Sequence, residues 1–101
     1  MINMNFEKEF EWAKFKVMED TFDALAHVAG HAPIGTYDGR STLKAFNQFR
    51  NLKQDYGNIK SFAEHLYNIS RYFKVRENSE LIGEASRKLS NFADAYEMFL
   101  I

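Results

Sequence analysis

The sequence predicts an all-α fold, a four-helix bundle, on three observations. Apolar residues recur at three- and four-residue steps through most of the chain. Helix breakers are concentrated in one stretch, residues 30–42, GHAPIGTYDGRST, which holds the only proline and three of the five glycines. No stretch of useful length alternates apolar with polar as a half-buried strand would. A chain of 101 residues is expected to form a single domain with a real core.

The first helix is expected over residues 5–29. One apolar row runs Phe6, Phe10, Ala13, Val17, Ala24, Val28, and a second runs Phe15, Met18, Phe22, Leu25, Ala29. Together they predict one wide apolar face. Asn5 is the expected N-cap, Glu7 and Glu9 suit the positive end of the helix dipole, and Gly30 is the expected stop. Trp12 falls at the edge of the face, among Lys8, Glu11 and Glu19.

Residues 30–41 then predict an irregular connection. Pro33 disfavours helix at Ala32. Tyr37-Asp38-Gly39-Arg40 reads as a tight turn, and a tiny hairpin pairing 34–37 with 40–43 is an alternative for the same residues. Connections this long are uncommon in helical domains and are often functional. The expectation is order at Pro33 and Ser41 and mobility between Gly35 and Gly39.

Ser41 or Thr42 is expected to cap a second helix over 42–56, with Leu43, Phe46, Phe49, Leu52 and Tyr56 inward and Gly57 ending it. The third helix is expected over 59–74, with Ser61 and Glu64 as a capping box. Its stripe is Ile59, Phe62, Leu66, Ile69, Phe73. The fourth is expected over 80–100, capped by Ser79, with the stripe Ile82, Ala85, Leu89, Phe92, Tyr96, Phe99. Both stripes step 3-4-3-4, which suits antiparallel packing at a shallow angle. The last residues, Met98 to Ile101, are all apolar and are expected to pack on something.

Composition narrows the chemistry. With no cysteine, disulfides and thiolate zinc sites are excluded. The N-terminal residues lack the basic start and apolar run of a secretory signal, and no run is long enough to span a membrane. A soluble, cytoplasmic protein that meets no membrane is expected. The net charge of −1 hides segregation: residues 1–39 sum to −4, residues 40–76 to +6 and residues 77–101 to −3. A basic middle between acidic ends implies internal pairing, a binding surface, or both.

Four kinds of chemistry compete. Asp23, His27 and His31 stand at i, i+4 and i+8, and would offer a metal two nitrogens and an oxygen if the helix reached His31. The plainer account is a polar helix end whose histidines favour the dipole. Catalysis has no motif behind it: no nucleophile elbow, phosphate loop or zincin helix appears. Residues 35–42 would at most hold an anion at a helix start. The protein is therefore expected to be no enzyme and to need no cofactor.

Nucleic-acid binding has basic residues interleaved with aromatics in helices two and three, a potential helix-turn-helix. Yet the start of helix three is poor in positive charge, and the pI near 6.3 is low for a DNA-binding domain. Protein recognition draws on an aromatic supply of ten Phe, five Tyr and one Trp, more than a small bundle needs inside.

The leading expectation is a non-enzymatic binding protein that regulates or inhibits a larger protein or ribonucleoprotein. A phage-type inhibitor of host machinery is one such protein, though no motif carries that. A nucleic-acid-binding regulator is the alternative, and a small metal- or anion-binding helical protein is the second alternative. Self-association as a homodimer is also expected of so wide an apolar face. The expected partner-binding residues are Trp12, Phe15, Tyr37, Arg40, Lys44, Arg50, Lys53, Arg71, Tyr72, Lys74 and Arg76.

Overall fold

A computed structural model describes residues 4–101. It contains α1 (Met4–His31), α2 (Tyr37–Arg50), α3 (Tyr56–Ser70), α4 (Arg76–Ala95) and the single turn α5 (Glu97–Leu100). The described residues include no strand, so the all-α prediction stands and the tiny hairpin does not.

The four long helices form two antiparallel hairpins. In the second, α3 lies along α4, the most extensive pairing in the molecule. Ser86 donates to the Ala63 carbonyl at 2.6 Å and Ser79 to the Ser70 carbonyl at 2.7 Å, so small polar residues hold the two helices close. In the first hairpin, α1 lies along α2, and α1 also packs along α4. Helix α2 scarcely touches α3. The 28 residues of α1 span about 42 Å at 1.5 Å per residue, which sets the long axis of a molecule 51 Å by 21 Å by 19 Å.

The predicted stripes of α3 and α4 do reach the core. Ile59, Phe62, Leu66 and Ile69 are buried against Ile82, Ala85, Leu89 and Phe92. Leu25 and Val28 of α1 complete the centre. Each such aliphatic side chain contributes roughly 2 kcal/mol on burial. At the far end Phe10 stacks on Phe92 and Phe99, with centroids 5.9 Å and 4.9 Å away. Leu100 is buried and Phe99 half-buried there, while Met98 and Ile101 of the same apolar end are exposed.

Most helix boundaries are shifted from their expected places. Asn5 lies inside α1, which already includes Met4. Gly30 does not stop α1: no described glycine takes a positive φ, and the helix runs on to His31. It ends because Pro33 follows, after a last bond from the Ala32 amide to the Val28 carbonyl at 2.8 Å.

Helix α2 begins five residues earlier than expected. Thr36 is its N-cap: the hydroxyl accepts from the Gly39 amide at 3.1 Å and donates to the Pro33 carbonyl at 2.6 Å. The Asp38-Gly39 pair therefore sits in the first helical turn, buried, and is not a mobile loop. Gly39 is required by close approach, since a Cβ there would fall on the Pro33 carbonyl. Ser41 and Thr42 lie inside the helix and cap nothing.

The inward face of α2 is also different. Asp38, Thr42 and Ala45 are buried, Phe46, Phe49 and Leu52 are only half-buried, and Leu43 is exposed. Small residues let α2 sit close, and its large apolar residues fall to the flanks.

Helix α2 ends at Arg50, where the Asn51 side chain donates to the Asn47 carbonyl at 3.0 Å. Helix α3 starts at Tyr56 because Asp55 caps it, accepting from the Asn58 amide at 2.8 Å. Gly57 and the expected capping box of Ser61 and Glu64 are helix interior. Helix α3 ends at Ser70, so Arg71 to Lys74 belong to the connection.

Helix α4 starts at Arg76, four residues before its expected start, without a cap from its own Val75. The two residues that lead into it are instead held from α2. The Asp38 carboxylate takes bonds from the Lys74 amide at 2.9 Å, the Val75 amide at 3.1 Å and the Asn78 side chain at 3.1 Å. At the other end Tyr96 breaks the expected 80–100 helix into α4 and α5.

Candidate functional site

The residue types that carry binding are aromatic rings left in water and charges left without fixed work. The aromatic rings collect on α1. Core-facing positions on this helix are Phe10, Val17, Thr21, Ala24 and Val28. Helical geometry places Lys8, Trp12, Phe15, Glu19 and Phe22 on the opposite side.

Trp12 is 66% exposed, Phe15 58% and Phe22 45%. Trp12 stacks on Phe15 with centroids 6.1 Å apart, and Phe22 meets the edge of Phe46 of α2 at 5.1 Å. The single wide face expected for α1 is thus two faces, one inward and one outward. Leu25 of the second row turns in, while Phe15 and Phe22 turn out. Phe6 of the first row is exposed as well, because the bundle has narrowed there.

Because α2 stops at Arg50, the N-terminal half of α1 has no neighbour on that side. A groove of about 690 Å³ opens between Phe15, Met18 and Phe22 of α1 and Phe49 and Arg50 beyond the middle of α2. It continues past Glu11 into a cleft of about 670 Å³ at Trp12 and Lys8.

The remaining expected site residues lie elsewhere. Tyr37 is half-buried in the first turn of α2, edge-on to Tyr72 at 6.5 Å and Phe73 at 6.0 Å. Arg71, Tyr72, Lys74 and Arg76 surround the same corner, about 28 Å of helix away from Trp12 measured along α1. Arg40 donates to the Gly35 carbonyl at 2.9 Å and so serves its own turn.

Arg76 pairs with Glu80 at 2.8 Å, Lys53 with Asp55 at 4.0 Å, and Arg71 stands over the Tyr67 ring at 5.8 Å. Lys60 bonds Ser90 at 2.8 Å and Asp94 at 3.1 Å, and the Asp94 bond raises its ammonium above the ordinary value. The basic middle of the sequence is therefore split between two ends of α3, and much of it is paired. Lys44 lies near His65, whose Nε2 is buried without a bonding partner. Burial, with the Lys44 charge second, holds that imidazole below its ordinary pKa.

The geometry around Asp38 shows why the breaker-rich stretch exists. The carboxylate is 3% exposed. Burial raises its pKa, but the Lys74 amide, the Asn78 side chain, the Val75 amide and the Lys74 charge together outweigh burial and hold it below the usual value. All its contacts are structural.

Helix α1 does reach His31, which places Asp23, His27 and His31 along one side. The imidazoles lie 4.4 Å apart, and His31 Nδ1 donates to the His27 carbonyl at 2.7 Å. Asp23, however, gathers with Glu19 and Asp20, their oxygens within 4.8 Å of one another. Lys16 stands 3.4 Å and Lys88 3.7 Å from Asp20, so this acidic group already has counter-charges.

Among the described residues no helix is long and apolar enough to cross a membrane. The chain thus defines an all-α bundle with an aromatic outer face on its longest helix. Comparison with protein-family models, curated proteins and solved structures gives no match.

Proposed function

We propose that this chain is a non-enzymatic binding protein that regulates or inhibits a larger protein through the outer face of α1. One observation carries the reading: Trp12, Phe15 and Phe22 stand in water on the side of α1 opposite the core. A helix apolar on both faces ordinarily has both covered. Interface centres are rich in such rings, and charges at the rim, here Lys8, Glu11, Glu19 and Arg50, orient docking more than they tighten it.

The nucleic-acid alternative draws less support. Helices α2 and α3 pack on different neighbours, α1 and α4, where a helix-turn-helix packs its two helices on each other. The basic residues make no single stripe.

The test compares immobilised wild-type chain with a Trp12→Ser, Phe15→Ser double variant and with a Lys44→Glu, Arg50→Glu, Lys53→Glu variant. Loss of bound protein is expected in the first and a modest decrease in the second. Random-sequence duplex DNA and single-stranded RNA serve as competing probes. Tight binding to either that falls linearly with salt on logarithmic axes, and ignores Trp12, would replace this reading with the nucleic-acid one.

A further inference from the structure

The outer face of α1 has a more specific pattern than a loose patch. Lys8, Trp12, Phe15, Glu19 and Phe22 are all exposed and follow one another at steps of 4, 3, 4 and 3. That 3.5-residue average is the seam of a two-helix coil. The inward face of the same helix is already filled by α2 and α4, so the seam needs a helix from outside the chain.

We propose that this helix is α1 of a second copy, packed antiparallel about a twofold axis between Ala13 and Lys14. The assignment rests on the reading of this face as a protein-binding surface, with the second copy covering it in the free protein and a larger partner displacing that copy. In that register positions summing to 27 lie opposite each other. Trp12 meets the partner's Phe15, and by symmetry Phe15 meets the partner's Trp12. Lys8 meets the partner's Glu19, and Glu19 the partner's Lys8. On one flank Glu9 comes beside the partner's Lys16. Trp12 and Phe15 thus find each other and Lys8 and Glu19 find opposite charges, while Phe22 lies outside these central pairs, opposite the partner's Asn5. The central four positions have the self-complementarity that a twofold interface requires.

The exposed rings supply a little under half of the area that a standard interface needs. Trp12, Phe15 and Phe22 together expose on the order of 350 Å² of ring surface. A standard interface takes about 800 Å² from each partner. The stems of Lys8, Glu11 and Glu19, with Met18 and Arg50 along the groove, lie alongside to supply the rest.

Sedimentation equilibrium with four samples decides the matter: wild type, Lys8→Glu, Glu19→Lys, and an equal mixture of the two variants. Each variant alone sets like charges against each other twice per dimer and is expected to weaken the dimer about tenfold or more. The mixture restores an opposite pair at both places, so its heterodimer is expected to return close to wild-type strength. All four exposed-surface samples should keep the same circular dichroism. A wild-type chain that stays monomeric to about 1 mM overturns the second-copy assignment. So do single variants as dimeric as wild type, or a mixture no tighter than its components. The wider protein-binding reading fails separately, when the Trp12→Ser, Phe15→Ser variant captures its partners as well as wild type does.

Discussion

Two regions of this molecule invert the usual expectations of sequence. The corner from Pro33 to Gly39 is rich in breakers and polar residues and largely exposed, yet Asp38 and Gly39 within it are buried, and Thr36 and Asp38 bond it into the fold. The outer side of α1 is a regular helix with no unusual motif, yet it leaves Trp12 and Phe15 in water. At the corner the side-chain contacts close within the chain. On α1 the largest rings of the outer row stack on each other and leave more than half of their surface in water. Irregularity here marks an internal fastening, and regularity carries the exposed rings.

The comparison breaks most easily at the corner. Asp38→Ala leaves the Lys74 and Val75 amides without their acceptor, and a loss of about 3 kcal/mol in unfolding free energy is expected. Urea denaturation measures it. Gly39→Ala should cost a similar amount, about 2–3 kcal/mol, by driving a methyl into the Pro33 carbonyl.

Acid tests the same contact without substitution. The folded Asp38 carboxyl lies below its ordinary value, while the unfolded one titrates near about 3.9. Its stabilisation is therefore complete above about pH 4 and is lost as pH falls through the folded value. Denaturation of wild type and Asp38→Asn over that window should show the gap between them narrowing toward acid.

Smaller effects sharpen the contrast. Gly30 lies within α1, and a Cβ there meets nothing within 4 Å. Gly30→Ala should raise stability by about 1 kcal/mol, which a glycine acting as a helix stop would not allow. Trp12→Ser should change stability by no more than about 0.5 kcal/mol while abolishing self-association, measured by denaturation and sedimentation together.

The fold class was legible because α3 and α4 keep one apolar stripe each through every turn. Ile59 to Ile69 and Ile82 to Phe92 point inward as their spacing requires. Boundaries were harder to read because caps compete. Thr36 and Ser41 are both good N-caps, and Asp55 and Ser61 are both good N-caps. What selects Thr36 is the carbonyl of Pro33 beside it and the bonds that Asp38 makes far along the chain. Those partners lie 36 to 40 residues away in sequence, beyond any local pattern.

Trp12 and Phe15 were named from the sequence as a rim, but the separation of α1 into two opposed faces was not. Both faces satisfy helical periodicity, and only the arrival of α2 and α4 decides which one is inside. The seam from Lys8 to Phe22 was present in the spacing all along, hidden because it overlaps the second apolar row.

The bond from Asp38 to the start of α4 has a kinetic side. Helix α2 has little contact with α3, so the two hairpins meet chiefly through α1 and this one carboxylate. The segment that leads into α4 is held in place only when the other hairpin has docked. The Lys74 and Val75 amides should therefore exchange with deuterium only when both hairpins open together, although they lie in a connecting turn at the rim of the bundle. A carboxylate shared across the fold ties the opening of one hairpin to that of the other.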